Sequence, residues 1–286
     1  MYNSMNKYNL ALLKVHGTAA LFGASGIFGA LTTSEADTLV LGRVLIAAAI
    51  LILYFLYKKQ PLVKITKGQF GQLMLSGVLL AIHWVTFFVA VKVGGVALAT
   101  LVFASFPAFV TLFESVFFKE RLYAKDIILL MAITIGLILV TPDFNFSSEN
   151  TQGLLWGILS AIAYGILAVV NRKSMSKLSG LQASFWQYLA AAIFLLPFSG
   201  DKLFAVSAID WFWIFCIGFL CTSVAYTLFI SSLDTINART ASMIISLEPV
   251  YSIALAWLLF GETPTVKMLI GGSIILFTVA WSNLKK

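Results

Sequence analysis

Apolar runs separated by short polar interruptions fill this chain from end to end, and the interruptions mark the element boundaries. Ten runs of about twenty residues stand out, at about 11–31, 37–57, 69–91, 94–118, 123–141, 152–171, 181–199, 210–232, 237–260 and 265–283. Each is long enough to cross a hydrocarbon core of about 30 Å as a helix. Backbone N–H and C=O groups find no water in hydrocarbon and must pair within their own segment, so all ten runs are predicted to be helices. The connections are short and leave no room for a soluble domain. The first run follows Lys7 and Lys14 and contains the small-residue stretch "GASG", features shared with a signal peptide. Retaining it gives an even number of helices and a consistent charge pattern, so it is expected to be a retained helix.

Composition agrees with this pattern. Of the 286 residues, 60% are apolar and 11% charged, against roughly 25% charged in a soluble domain. Cys216 and Cys221 lie five residues apart on one predicted helix, point in different directions and are expected to be packing residues rather than a disulfide. The net charge of +7 could suggest a nucleic-acid partner, but its distribution argues for none. With the N-terminus in the cytoplasm, fifteen of the nineteen Lys and Arg residues fall in cytoplasmic segments. Only Lys92, Lys202 and Lys267 are exterior, Arg43 lies within a span, and the exterior loops carry Glu35, Asp37, Asp143 and Glu149. Basic residues favour the cytoplasmic side. The expected architecture is therefore an all-α polytopic membrane protein with ten transmembrane helices and both termini cytoplasmic.

The second half repeats the first. Shifted by 142 residues, Phe22-Gly23 falls on Tyr164-Gly165, Pro107 on Pro249, Phe118 on Phe260, Glu120 on Glu262 and Lys125 on Lys267. The hairpin "FKERLYAK" is basic and expected to be cytoplasmic, whereas its counterpart "FGETPTVK" is nearly neutral and expected outside. Five helices per half place equivalent hairpins on opposite sides of the membrane, the inverted-topology repeat common in secondary transporters. The segments "FASFPAFVTLFESVFFKERL" and "IISLEPVYSIALAWLLFGETPT" resemble the fourth-to-fifth and ninth-to-tenth helix hairpins of the drug/metabolite transporter superfamily, and within it the EamA-type branch of paired five-helix repeats. The resemblance implies repeats at 11–141 and 151–283. It also implies a cavity formed mainly by the first, third, fourth, sixth, eighth and ninth predicted helices and open alternately to each side. The implied activity is export of an amino acid or similar amphipathic metabolite across a bacterial-type plasma (inner) membrane, with no cofactor and no enzymatic step. Uptake of a cofactor or nucleotide-like metabolite is the alternative within transport, and a lipid-handling or structural membrane protein the alternative outside it. The number of copies is left open.

Several residues are candidates for that cavity. Proline removes an amide donor and frees the carbonyl four residues earlier, so Pro107 and Pro249 should interrupt their spans at corresponding positions. Paired interruptions point to a transporter's binding site, although a packing kink would read the same way. Helical spacing places Trp156, Ser160 and Tyr164 on one stripe with Leu167 and Asn171, and His83, Trp84 and Phe87 on another with Ser76 and Leu80. Ser223 and Tyr226 belong to the eighth predicted helix, where Tyr226 is the repeat counterpart of Trp84. Aromatic faces suit apolar cargo or an ammonium group, and equally suit packing. His83 could carry a proton or be a hydrogen-bonded core residue. Glu248 has Phe106 as its repeat counterpart, so the fold does not require an acid there. It could take up a proton, making protons a candidate coupling ion, receive a substrate ammonium, or lock the kink. Glu114 is expected to pair with Lys119 or Arg121; Arg43 lies in the outer part of its helix, where it could snorkel, and a structural role is expected for it. Glu120 and Glu262 are expected to cap the helices that follow them, and Trp211, Trp213 and Trp281 to form an interfacial belt. There is no His/Cys/Asp spacing suited to a metal and no phosphate-binding glycine loop.

Overall fold

The protein is described here from a computed structural model covering residues 2–140, 145, 147–174, 178–236 and 238–284. Asp143, Lys177, Lys285 and Lys286 lie outside the described residues, as do the side chains of Lys173 and Arg239. Among the described residues all regular structure is helical. The first half contains α1 (Tyr2–Leu31), α2 (Ala36–Tyr57), α3 (Lys67–Gly94), α4 (Val96–Phe103), α5 (Phe106–Phe118) and α6 (Ala124–Val140). The second contains α7 (Glu149–Ser174), α8 (Gly180–Ser199), a 3₁₀ turn at Lys202–Ala205, α9 (Ala208–Cys216), a π-helical stretch at Ile217–Val224, α10 (Ala225–Ser232), α11 (Ala238–Ile245), α12 (Glu248–Phe260) and α13 (Val266–Leu284). Among the described residues eight helical stretches are long and apolar enough to cross a membrane, and the chain is a multi-pass integral membrane protein.

Local chemistry explains the boundaries. Thr66 caps α3 in a reciprocal box with Gln69. Gly95 follows α3 with a φ of 83°, and Gly261 ends α12 with a φ of 69°, a left-handed region open chiefly to glycine. α4 stops at Phe103 and α5 begins at Phe106 with Pro107 in its first turn, while α11 stops at Ile245 and α12 begins at Glu248 with Pro249 in its first turn. Proline is tolerated at a helix start because its missing N–H would be unpaired there anyway.

The two halves interlock through exchanged contacts. α1 of the first half packs on α12 of the second, and α7 of the second packs on α5 of the first. A Cβ on Gly23 would lie 3.0 Å from the Glu248 carbonyl oxygen, and one on Gly165 would lie 2.9 Å from Phe109 Cβ and 3.2 Å from its backbone carbon. These glycines occupy equivalent repeat positions, and each lets a helix approach the broken helix of the opposite half. α6 and α13 pair in the same way: a Cβ on Gly136 would sit 2.9 Å from the Gly271 carbonyl oxygen. Small residues allow backbone-close contact where no hydrophobic force separates helix from lipid. The main core cluster joins α2, α3 and α8 around Leu39, Val44, Phe88 and Ile217, all buried. Outward-facing residues such as Leu258 and Phe277 remain exposed, as expected for side chains that meet lipid.

Candidate functional site

A cavity of about 840 Å³ lies between the halves. It extends from Ser25, Arg43 and Phe87 to Glu114, Lys125, Asp126 and Trp281, which mark its mouth at one end of the bundle. Both helix breaks reach it: Ala104, Phe106 and Pro107 on one wall, and Ser246, Glu248 and Pro249 on the other. His83, Trp84, Phe87, Tyr164 and Tyr226 also line it, so most of the residues singled out by sequence converge here.

Its middle is an aromatic box. The His83 ring lies 4.7 Å from Phe103 and 4.9 Å from Tyr164, and Phe106 stands edge-on to Tyr164 at 4.9 Å. Trp84 contacts Tyr188 at 5.9 Å. His83 Nδ1 is 2.8 Å from Ser160 Oγ, whose hydroxyl donates to the His83 carbonyl at 3.0 Å. With its one proton engaged, the hydroxyl accepts from Nδ1–H, an assignment that leaves Nε2 as the acceptor of the ring. Asn171 Oδ1 accepts from Ser76 Oγ at 3.0 Å and from Gln187 Nε2 at 2.9 Å.

Three expected cavity residues are placed elsewhere. Trp156 is 39% exposed on the outer face of α7. At 3.6 residues per turn, an i, i+4 series drifts about 40° per step, so two steps carry Trp156 about 80° away from Tyr164. Ser160 is fully buried behind His83 and supports the ring without lining the cavity. Ser223 turns back to donate to the Gly218 carbonyl at 3.0 Å. It lies in the π-helical stretch, where i→i+5 winding replaces the assumed period. That winding presents Cys221 and Thr222 to the cavity instead.

Arg43 does not snorkel. It is 5% exposed, lines the cavity, donates from Nε to Thr222 Oγ1 at 2.8 Å and stacks with its Cζ 3.7 Å from the Trp84 ring centroid. Sequence position suggested reach to the surface; the π-helical turn and Trp84 hold the guanidinium inward. Phe103, Ser184 and Tyr188 also line the cavity, and only their places on apolar helices could have hinted at it. Glu114 pairs with Arg172 at 2.7 Å rather than with Lys119 or Arg121, and Arg172 also bridges to Glu120 at 2.9 Å. Glu262 accepts from the Ala97 amide at 3.3 Å, so it caps α4 across the repeat instead of the helix that follows it. Trp281 lines the cavity mouth, and Trp213 stacks on Phe28 at 5.7 Å.

The end opposite the mouth is fastened by polar contacts. Asp210, 2% exposed in the first turn of α9, accepts from the Thr33 amide at 3.0 Å, Thr33 Oγ1 at 2.8 Å, the Ser34 amide at 2.8 Å and Ser34 Oγ at 2.7 Å. Lys92 Nζ donates to the Thr32 carbonyl at 2.6 Å. Lys202 bridges Glu35 at 2.7 Å and Asp37 at 2.9 Å, and those carboxylates hold its ammonium above the ordinary lysine range.

A helical bundle of interlocked halves around one central cavity defines a membrane carrier. The chain matches the EamA-like transporter family over residues 9–141 and 151–284 and belongs to it, within the drug/metabolite transporter superfamily. It is 26% identical over 292 residues to an uncharacterized transporter of Bacillus subtilis, covering 99% of this chain and 92% of that one. It is 23% identical to the pseudopaline exporter of Pseudomonas aeruginosa (82% of this chain, 83% of the other) and 24% identical to an S-adenosylmethionine uptake transporter of Rickettsia felis (71% and 68%). A crystal structure 18% identical in sequence superimposes with a TM-score of 0.63 over 96% of each chain and shares the fold.

Proposed function

We propose that this protein is a secondary transporter that exports an amino acid or similar amphipathic metabolite across the bacterial plasma membrane by alternating access. The observation that carries this reading is the cavity of about 840 Å³, with a mouth at one end and four hydrogen bonds to Asp210 fastening the other. In this reading α6 and α13 complete ten crossings, both termini are cytoplasmic, and the units are 11–141 and 151–283. The present state then opens to the cytoplasm. His83, Trp84, Phe87, Tyr164 and Tyr226 bind the apolar part of the cargo, the breaks at Pro107 and Pro249 supply unpaired backbone groups, and Glu248 binds a proton or a substrate ammonium. No chemical transformation is required of the protein.

Relatives of this chain include one named as an exporter and one named for uptake, so direction is tested together with cargo. Purified protein reconstituted into liposomes loaded with a mixture of amino acids and other metabolites should release a subset faster than protein-free liposomes, by mass spectrometry. Release of none, in either orientation and at any imposed pH gradient, would refute transport of these compounds.

A further inference from the structure

Deep in the cavity, two opposite charges face the same space without meeting. Arg43 lines it from α2 and Glu248 from the first turn of α12. The Arg43 guanidinium is held from one side by Thr222 and stacked on Trp84. This arrangement uses Nε and one face, leaving both terminal nitrogens to serve a ligand. Among the described residues the Glu248 carboxylate has neither a hydrogen bond nor an ion pair, and no salt bridge joins it to Arg43. The charges at the mouth are differently placed: Glu114 is engaged by Arg172, and Asp126 accepts from the Tyr123 amide.

A desolvated charge is costly, and the cost falls when an opposite charge and good hydrogen bonds are supplied. Arg43, which is buried, and Glu248, which is half-buried, line one cavity without an ion pair between them, and together they are complementary to a ligand that carries both signs itself. We propose that the cavity binds its cargo as a zwitterion of the amino-acid type, with Arg43 receiving the carboxylate and Glu248 the ammonium. The planar guanidinium suits a carboxylate because its paired N–H groups match two oxygens. Thr222 and Trp84 are positioning residues that fix its plane. The π-helical stretch therefore has a use: it turns Thr222 toward Arg43. A cation without a carboxylate leaves Arg43 uncompensated, and an anion without an ammonium leaves Glu248 so. Selectivity against both follows from the groups left unpaired.

The inference rests on the transport reading above. The test measures stabilisation of purified protein against heating by titrating each of the twenty amino acids beside its decarboxylated amine and its deaminated acid. At least one amino acid should bind tenfold or more tightly than both of its analogues. Arg43→Gln should bring that amino acid and its amine to comparable affinity, the amino acid weakening and the amine not. Glu248→Gln should reduce the amino acid to the level of the acid. If Arg43→Gln does not fold, Arg43→Lys, which keeps charge but loses the fork, should still weaken the amino acid severalfold and spare the amine. An amine or acid that binds wild-type protein as tightly as its parent overturns the proposal, as does full preference retained in the variants. If no amino acid binds but liposomes still release another metabolite, the zwitterion assignment fails and the transport reading stands. If no metabolite is released at all, both fail.

Discussion

Replacing Asp210 by Asn should open the fastened end. The carboxylate accepts four hydrogen bonds of 2.7–3.0 Å, three of them on Oδ2. Asn can turn its Oδ1 to the site of the three bonds, but its NH₂ then faces the Thr33 amide, a donor against a donor. One lost bond at about 1 kcal/mol and a buried amide donor left unsatisfied at about 1–2 kcal/mol give about 2–3 kcal/mol against the closed end. If these bonds exist only in the inward-open state, the outward-open population rises about 30- to 150-fold. The helix-dipole benefit of an acid in the first turn of α9 is common to both states and cancels. With Cys216 and Cys221 replaced, a cysteine in place of Ser25, which lines the deep cavity and is 6% exposed, reports the change. An impermeant thiol reagent applied to the exterior of intact cells should modify it at least about 30-fold faster in the Asp210→Asn background. Thr33→Val with Ser34→Ala, which removes the two hydroxyl donors and spares the acid and both amides, should act in the same direction. Disrupting the exposed Lys202 bridge should change the rate little, because exposed ion pairs are weak and screened. Unchanged modification rates in both Asp210→Asn and the double variant would refute the gate.

Ala substitution at Trp84, Tyr164 or Tyr226 should each weaken cargo binding about threefold to tenfold, since stacking contributes about 0.5–1.5 kcal/mol per aromatic contact; equal titration curves for all three variants would make them packing residues. Glu248→Gln should retain the fold but impair flux or alter its pH dependence in proteoliposomes across a pH series; matching curves at equal protein density would leave it structural. For topology, with Cys216 and Cys221 replaced, an impermeant maleimide applied to intact cells should label a cysteine at Ser147 and spare one at Gln60. Labelling at Gln60 would reverse the orientation.

Much of this protein was legible from its sequence because hydrocarbon leaves the backbone few options. An apolar run of membrane length must pair its own amide groups, so helices and their approximate ends follow from the run itself. Pro107 and Pro249 marked the places where α5 and α12 begin, since proline suits a first turn and disrupts an interior one. The equivalence of Gly23 and Gly165 was visible as a repeat, although what each glycine touches was not. Tertiary structure decided which face of each helix meets the cavity. The fixed helical period broke down at Ile217–Val224, where π winding turned Ser223 away and brought Thr222 to Arg43. Position alone would have let Arg43 reach the surface; a partner 179 residues away and the Trp84 ring kept it inside. Glu114, Glu120 and Glu262 likewise found partners beyond their own hairpins, in Arg172 and the Ala97 amide. Periodicity acts within a helix and is written locally, whereas the partners of a buried charge come from whichever helices pack beside it, and only the assembled bundle fixes those.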